Sequence, residues 1–132
     1  MSRHTKETLP SPTDAELEVL RVLWRLGPST VREVHAAIAK TKGVGYTTVL
    51  KQMQVMQRKR LLRRSERFRA HVYEPCEPRA QTQKQLSQSL LRRAFDGSAH
   101  GLLQSALAGR RVDAEELAEI RGLLKELERG PR

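Results

Sequence analysis

The chain has 132 residues, a mass of 15.1 kDa and a formal net charge of +10, which leaves room for one or two small, strongly basic domains. Hydrophobic residues make up 38% and aromatics only 4%, so a modest core is expected and a deep substrate cleft is not. No apolar run approaches the roughly 18 residues of a membrane span, residues 1–12 lack the apolar stretch of a secretory signal, and the single cysteine, Cys76, has no internal disulfide partner; together these fit a cytoplasmic protein that does not insert into a membrane.

Residues 1–12 are polar, contain Pro10 and Pro12, and read as a flexible arm. Thr13 then opens a helix. In Thr13-Asp14-Ala15-Glu16 the hydroxyl can take the amide of Glu16 while the Glu16 carboxylate reaches back to the cap. Leu17, Leu20 and Trp24 follow at helical spacing, and Gly27-Pro28 stops the run. Thr30 caps a second helix with Glu33 three residues on, and Val31, Val34 and Ile38 form its buried stripe. Gly43 and Gly45 mark a turn.

A third helix is expected over about Thr47 to Lys59. Val49, Met53 and Met56 share one face, and Thr47, Lys51, Gln54 and Arg58 lie nearly opposite. Two short strands, Leu62 to Arg64 and Ala70 to Tyr73, are expected around a turn at Ser65–Phe68, closed by Pro75 and Pro78. The rest is helical: one helix from about Arg79 to Phe95, a second recapped at Gly97-Ser98, and a third capped by Asp113, in which Leu117, Ile120, Leu124 and Leu127 keep a 3, 4, 3 spacing.

Charge follows the same division. Between Lys51 and Tyr73 eight cations (Lys51, Arg58, Lys59, Arg60, Arg63, Arg64, Arg67 and Arg69) face one acid, Glu66. From Asp113 to Arg129 six acids outnumber three bases. Overall basicity alone proves nothing, because arginine-rich codon usage produces it too; a local concentration points to a phosphate backbone. The composition offers no catalytic site: there is no glycine-rich phosphate loop, no nucleophile elbow and no metal-ligand spacing among His4, His35, His71, His100 and Cys76. No cofactor or metal is expected, His35 reads as structural, and Cys76 reads as an inert thiol.

Three helices followed by a hairpin is the winged helix-turn-helix plan, so the fold class is mainly α: a DNA-binding winged domain over 13–78 and a three-helix dimerisation domain over 79–132. The expected DNA-binding residues are Tyr46, Thr47, Thr48, Lys51, Gln54 and Arg58 on the third helix and Arg67 and Arg69 on the wing. For Tyr46 a phosphate contact and a place at the edge of the core stay equally open, whereas Tyr73 reads as packing. The expected dimerisation residues are Leu86, Leu90, Leu103, Leu107, Leu117, Ile120, Leu124 and Leu127; three short helices bury too little alone and need a partner surface. Two other functions fit the same elements: a ligand-sensing winged-helix regulator with a pocket between domains, and a protein adaptor that uses the fold without DNA.

Ala15-Glu16-Leu17-Glu18-Val19-Leu20 with Leu23-Trp24, Thr30-Val31-Arg32-Glu33-Val34, Gly45-Tyr46-Thr47-Thr48-Val49 and the hairpin end Val72-Tyr73 resemble the penicillinase-repressor family over about residues 13–128. The resemblance implies a homodimeric transcriptional repressor on a palindromic operator near its own promoter, with an antibiotic response and a membrane sensor protease as family associations. Three departures accompany it. The chain ends Leu127-Glu128-Arg129-Gly130-Pro131-Arg132, without the cysteine-rich tail of the copper-responsive branch. It contains no asparagine, so the Asn-Phe bond cut in the β-lactam-responsive branch is absent, and Ser105-Ala106 is the nearest position by register. Arg60 stands where a turn glycine or asparagine is usual, Gln52 where an apolar residue is usual and Val55 where a basic one is common, so the operator is expected to differ.

Overall fold

The computed structural model describes residues 11–131. Along the chain run α1 (Asp14–Leu26), α2 (Val31–Ala39), α3 (Tyr46–Arg58), β1 (Leu62–Arg67), β2 (Ala70–Pro75), α4 (Arg79–Phe95), α5 (Ala99–Leu107) and α6 (Ala114–Glu128). This is the expected order: a mainly helical winged helix-turn-helix followed by further helices. The arm expected over residues 1–12 lies outside the described residues but for its last two positions. No helix among the described residues is long and apolar enough to cross a membrane. The chain divides into two compact units between Ser87 and Gln88, inside α4.

In the first unit both expected capping boxes form. Thr13 Oγ1 accepts from the Glu16 amide at 3.2 Å, and Glu16 Oε1 accepts from the Thr13 amide at 3.0 Å. Thr30 and Glu33 repeat the exchange at 3.1 and 2.9 Å. These bonds satisfy donors that a helix start otherwise leaves open. Val19, Leu20 and Leu23 of α1, Val31, Val34 and Ile38 of α2, Val49, Met53 and Met56 of α3, with Leu61, Leu62 and Tyr73, form one core. Its tightest part is the α3 stripe, where Met53 and Met56 are 0% exposed and Val49 1%.

The hairpin departs from expectation. β1 and β2 pair antiparallel in register from Leu62 opposite Pro75 to Arg67 opposite Ala70, so the strands are longer than expected and the turn is Phe68-Arg69, not Ser65–Phe68. Both turn residues are left-handed, with φ of +54° and +65°, the signature of a type I′ turn that ordinarily takes Asn-Gly. Ladder pairing overrode the local signal: cross-strand pairs Arg63–Glu74 at 3.4 Å and His71–Glu66 at 3.5 Å carry the hairpin through the expected turn. The wing is also tied to the α1–α2 connection, because Ser29 and Tyr73 exchange both backbone hydrogen bonds, at 3.0 and 2.8 Å. Between α3 and β1, Arg60 takes the left-handed conformation with φ +67°, which explains why glycine or asparagine suits that place.

The second unit is built differently. Ser98 and Asp113 cap α5 and α6 by accepting the amides of Gly101 and Glu116 at 2.9 and 2.8 Å, yet neither helix contains a buried residue. In α4 only Thr82, which belongs to the first unit, is buried. Leu90, Leu103, Leu117, Leu124 and Leu127 are exposed, as is Leu123, which the 3, 4, 3 spacing leaves out; Leu107 and Ile120 are half-buried. Leu86 lies instead in the first unit, lining a cleft with Leu17 and Trp24.

One acid links distant parts of the first unit. Besides closing the α1 cap, Glu16 is 5% exposed and holds Lys59, at the end of α3, at 2.7 Å. Burial works to raise the Glu16 pKa, but the hydrogen bonds from Lys59 and Thr13 and the Lys59 charge outweigh it, and the net shift is downward. A lowered pKa adds stability that is complete above the ordinary glutamate value and is lost as pH falls through the lowered one. Glu16→Gln is therefore expected to cost roughly 1–3 kcal/mol at neutral pH and to flatten the loss of stability on acidification. Urea unfolding of both proteins at neutral and acid pH measures this; parallel pH profiles would contradict it.

Candidate nucleic-acid interface

The site is built from α3 outward. With 100° between successive residues, burying Val49, Met53 and Met56 turns the opposite face to solvent. Thr47, Thr48, Lys51 and Arg58 are exposed there, Tyr46 is 44% exposed, and Gln54 is half-buried. The helix starts one residue earlier than expected, at Tyr46, with Gly45 as its cap.

That start differs from the others with defined caps. α1, α2, α5 and α6 each open on a Thr, Ser or Asp whose side chain closes the first turn. Gly45 has no side chain to do so, and no cap hydrogen bond forms. The first amide bonded back into the helix is that of Val49, to the Gly45 carbonyl at 3.2 Å. The amides of Thr47 and Thr48 and their hydroxyls thus stand together at the positive end of a helix, an arrangement suited to a phosphate oxygen.

This helix start is held in place from α2. His35 Nε2 lies 2.8 Å from the Val44 carbonyl oxygen, which can only accept, so the ring carries its proton on Nε2. The same ring meets Tyr46 edge-on, with centroids 5.9 Å apart. His35 is structural, and it orients Tyr46 beside the helix start.

A groove of about 260 Å³ runs between the start of α2, α3 and the hairpin, and Arg32, Tyr46, Gln54, Arg64 and His71 are among its lining residues. Of the expected contact residues it gathers Tyr46 and Gln54. Arg67 and Arg69 are not in it; they are exposed at the free end of the hairpin. Arg32 was not singled out from the sequence. Its signal was its place directly after buried Val31, on the outward side of the second position of α2. Arg64 counted only as charge, and its pairing opposite buried Tyr73 brings it to the groove.

Pairing decides which cations remain available. Lys59 is engaged by Glu16, Arg63 by Glu74 and Lys42 by Glu18. Among the described residues no ion pair involves Lys51, Arg58, Arg60, Arg64, Arg67 or Arg69. The surface therefore combines open helix amides, hydroxyls, an amide side chain and unneutralised guanidinium groups, which suits a polyanion and assembles no proton-transfer or nucleophilic constellation. Cys76 takes no part: its amide donates to the Leu61 carbonyl at 3.0 Å, and burial pushes its thiol pKa up, keeping it neutral.

The penicillinase repressor family model matches residues 12–126. The transcriptional regulator BlaI of Mycobacterium tuberculosis is 37% identical over 120 residues, covering 89% of this chain and 85% of that protein. The penicillinase repressor of Bacillus licheniformis is 26% identical over 118 residues, covering 89% and 92%. Among solved structures, monomeric Bacillus licheniformis BlaI in complex with the blaP half-operator matches 55% of this chain and 88% of that one, at 28% identity and a TM-score of 0.50. A MarR family protein of Bacillus stearothermophilus shares the fold at 18% identity and a TM-score of 0.52, covering 94% of this chain and 79% of that one.

Proposed function

The chain belongs to the penicillinase repressor family, a family of transcriptional repressors, and we propose from this that it binds a palindromic operator as a homodimer, with α3 in the major groove and the wing on the flanking backbone. The observation that carries this is the α3 start: alone among the described starts with defined caps it leaves its third amide, that of Thr48, without a capping side chain, beside two threonine hydroxyls and opposite a fully buried stripe. In this reading Thr47 and Thr48 take phosphate or base edges, Lys51 and Gln54 read bases, Tyr46 and Arg58 bind backbone, and Arg67 and Arg69 neutralise phosphates next to the half-site. The half-operator bound by Bacillus licheniformis BlaI supports double-stranded DNA as the partner.

Residues 13–78 would form the DNA-binding part and residues 79–132 the dimerisation part. A second copy is supported by the leucines of α4, α5 and α6 that stand exposed among the described residues. Two-fold symmetry sets the two α3 helices about one helical turn, roughly 34 Å, apart on the operator. An adaptor that ignores DNA would have no use for unpaired cations around an open helix start. Release by a membrane sensor protease would need a cleavage site other than Asn-Phe, and the position by register, Ser105-Ala106, lies within α5.

Two substitutions test the reading. Lys51→Ala is expected to weaken binding to a selected operator by roughly 1–3 kcal/mol while sparing a scrambled duplex. Equal losses on both, with the salt slope reduced by about one, would make Lys51 a phosphate contact instead. Leu124→Asp, which would bury a charge in the subunit interface, is expected to sediment as a monomer and to lose operator affinity. A Leu124→Asp protein that still sediments as a dimer would remove α6 from the interface.

A further inference from the structure

Phe68 occupies a position that neither local preference nor packing accounts for. It is 93% exposed, more than any other large hydrophobic residue described. It also sits at the first of two left-handed positions in the wing turn, with φ +54°, followed by Arg69 at +65°. Such a turn favours Asn-Gly, and an aromatic side chain there is conformationally costly. Folding returns nothing for that cost, because the ring is almost wholly in water. The backbone projects it from the free end of a two-stranded ribbon, between Arg67 and Arg69, neither of which is ion-paired among the described residues.

An apolar tip between two guanidinium groups fits the minor groove. That groove is too narrow, at about 6 Å, for the ribbon itself, but it admits single side chains at its tip. Arginines are drawn to its negative potential where it is narrow, and apolar side chains inserted there part adjacent base pairs. We propose that Phe68 is a specificity-determining wedge, entering the minor groove beside each half-site and partly unstacking one base step, while Arg67 and Arg69 stay on the phosphates that border the groove on either side. This rests on the DNA-binding reading above and adds to it: flanking bases that receive no hydrogen bond are selected by how easily their step opens, which favours pyrimidine–purine steps such as TA or CA.

The test uses the full-length protein and its Phe68→Gly variant. Each selects from a pool of randomised duplexes, and the enriched sequences are compared. The selected duplex is then resynthesised with 2-aminopurine at the flanking step and, separately, with that step replaced by a stiff G·C one. The wild type is expected to enrich an inverted repeat with a flexible step in each flank, to lose affinity about tenfold when that step is stiffened, and to brighten the 2-aminopurine on binding. Phe68→Gly is expected to unfold at an equal or higher temperature, to keep the inverted repeat, and to lose both the flank preference and the fluorescence change. A variant with wild-type affinity and flank preference would overturn the wedge, as would an affinity loss that is uniform across flanks with silent 2-aminopurine, which would leave Phe68 an unspecific contact. A wild type that enriches no repeat would instead overturn the DNA-binding reading, and the wedge with it.

Discussion

Burial of Val49, Met53 and Met56 fixes the rotation of α3, and the helical part of the proposed interface depends on that rotation. A helix has one degree of freedom about its axis, and three side chains at 0–1% exposure on one stripe remove it. Thr47, Lys51 and Arg58 must then face solvent. Contacts at each end prevent tilting. His35 holds the turn before the helix through the Val44 carbonyl, and Glu16 holds Lys59 just after it. The wing is fixed by the Ser29–Tyr73 exchange, which joins it to the connection between α1 and α2. A recognition surface on rigid elements needs little ordering when DNA arrives.

The two units answer different physical demands. The first has a closed core and pairs Glu16, Glu74 and Glu18 with Lys59, Arg63 and Lys42, while Lys51, Arg58 and the other arginines of the hairpin keep their field. The second has well-capped helices and no buried residue in α5 or α6. Capping fixes where its helices begin, but only a covered apolar face makes short helices stable. Joining two copies through that face would give the protein both stability and the two-fold symmetry that the proposed palindromic operator calls for.

Much of this was legible in the sequence because its signals are local. Thr13 with Glu16 and Thr30 with Glu33 announce helix starts within four residues, and the apolar spacing of α3 separates its two faces. The hairpin turn was misplaced because Phe68-Arg69 carries no glycine or asparagine, so nothing local marks a left-handed pair. The Ser29–Tyr73 pairing and the Glu16–Lys59 contact were not legible at all, since each joins residues more than forty positions apart. Arg32 escaped notice for a related reason: its value lies in the groove that α2 shares with α3 and the wing. The open start of α3 was half visible, in Gly45 standing where the other helices place a capping side chain.

The most direct measurement is recovery of bound fragments from sheared genomic DNA of the source organism, at about 150 mM salt against scrambled competitor. A dimer reading its operator through α3 returns a small set of promoter fragments sharing one inverted repeat, with half-sites about one helical turn apart. Random fragments that wash off with modest salt would contradict it and reduce the +10 charge to a non-specific grip.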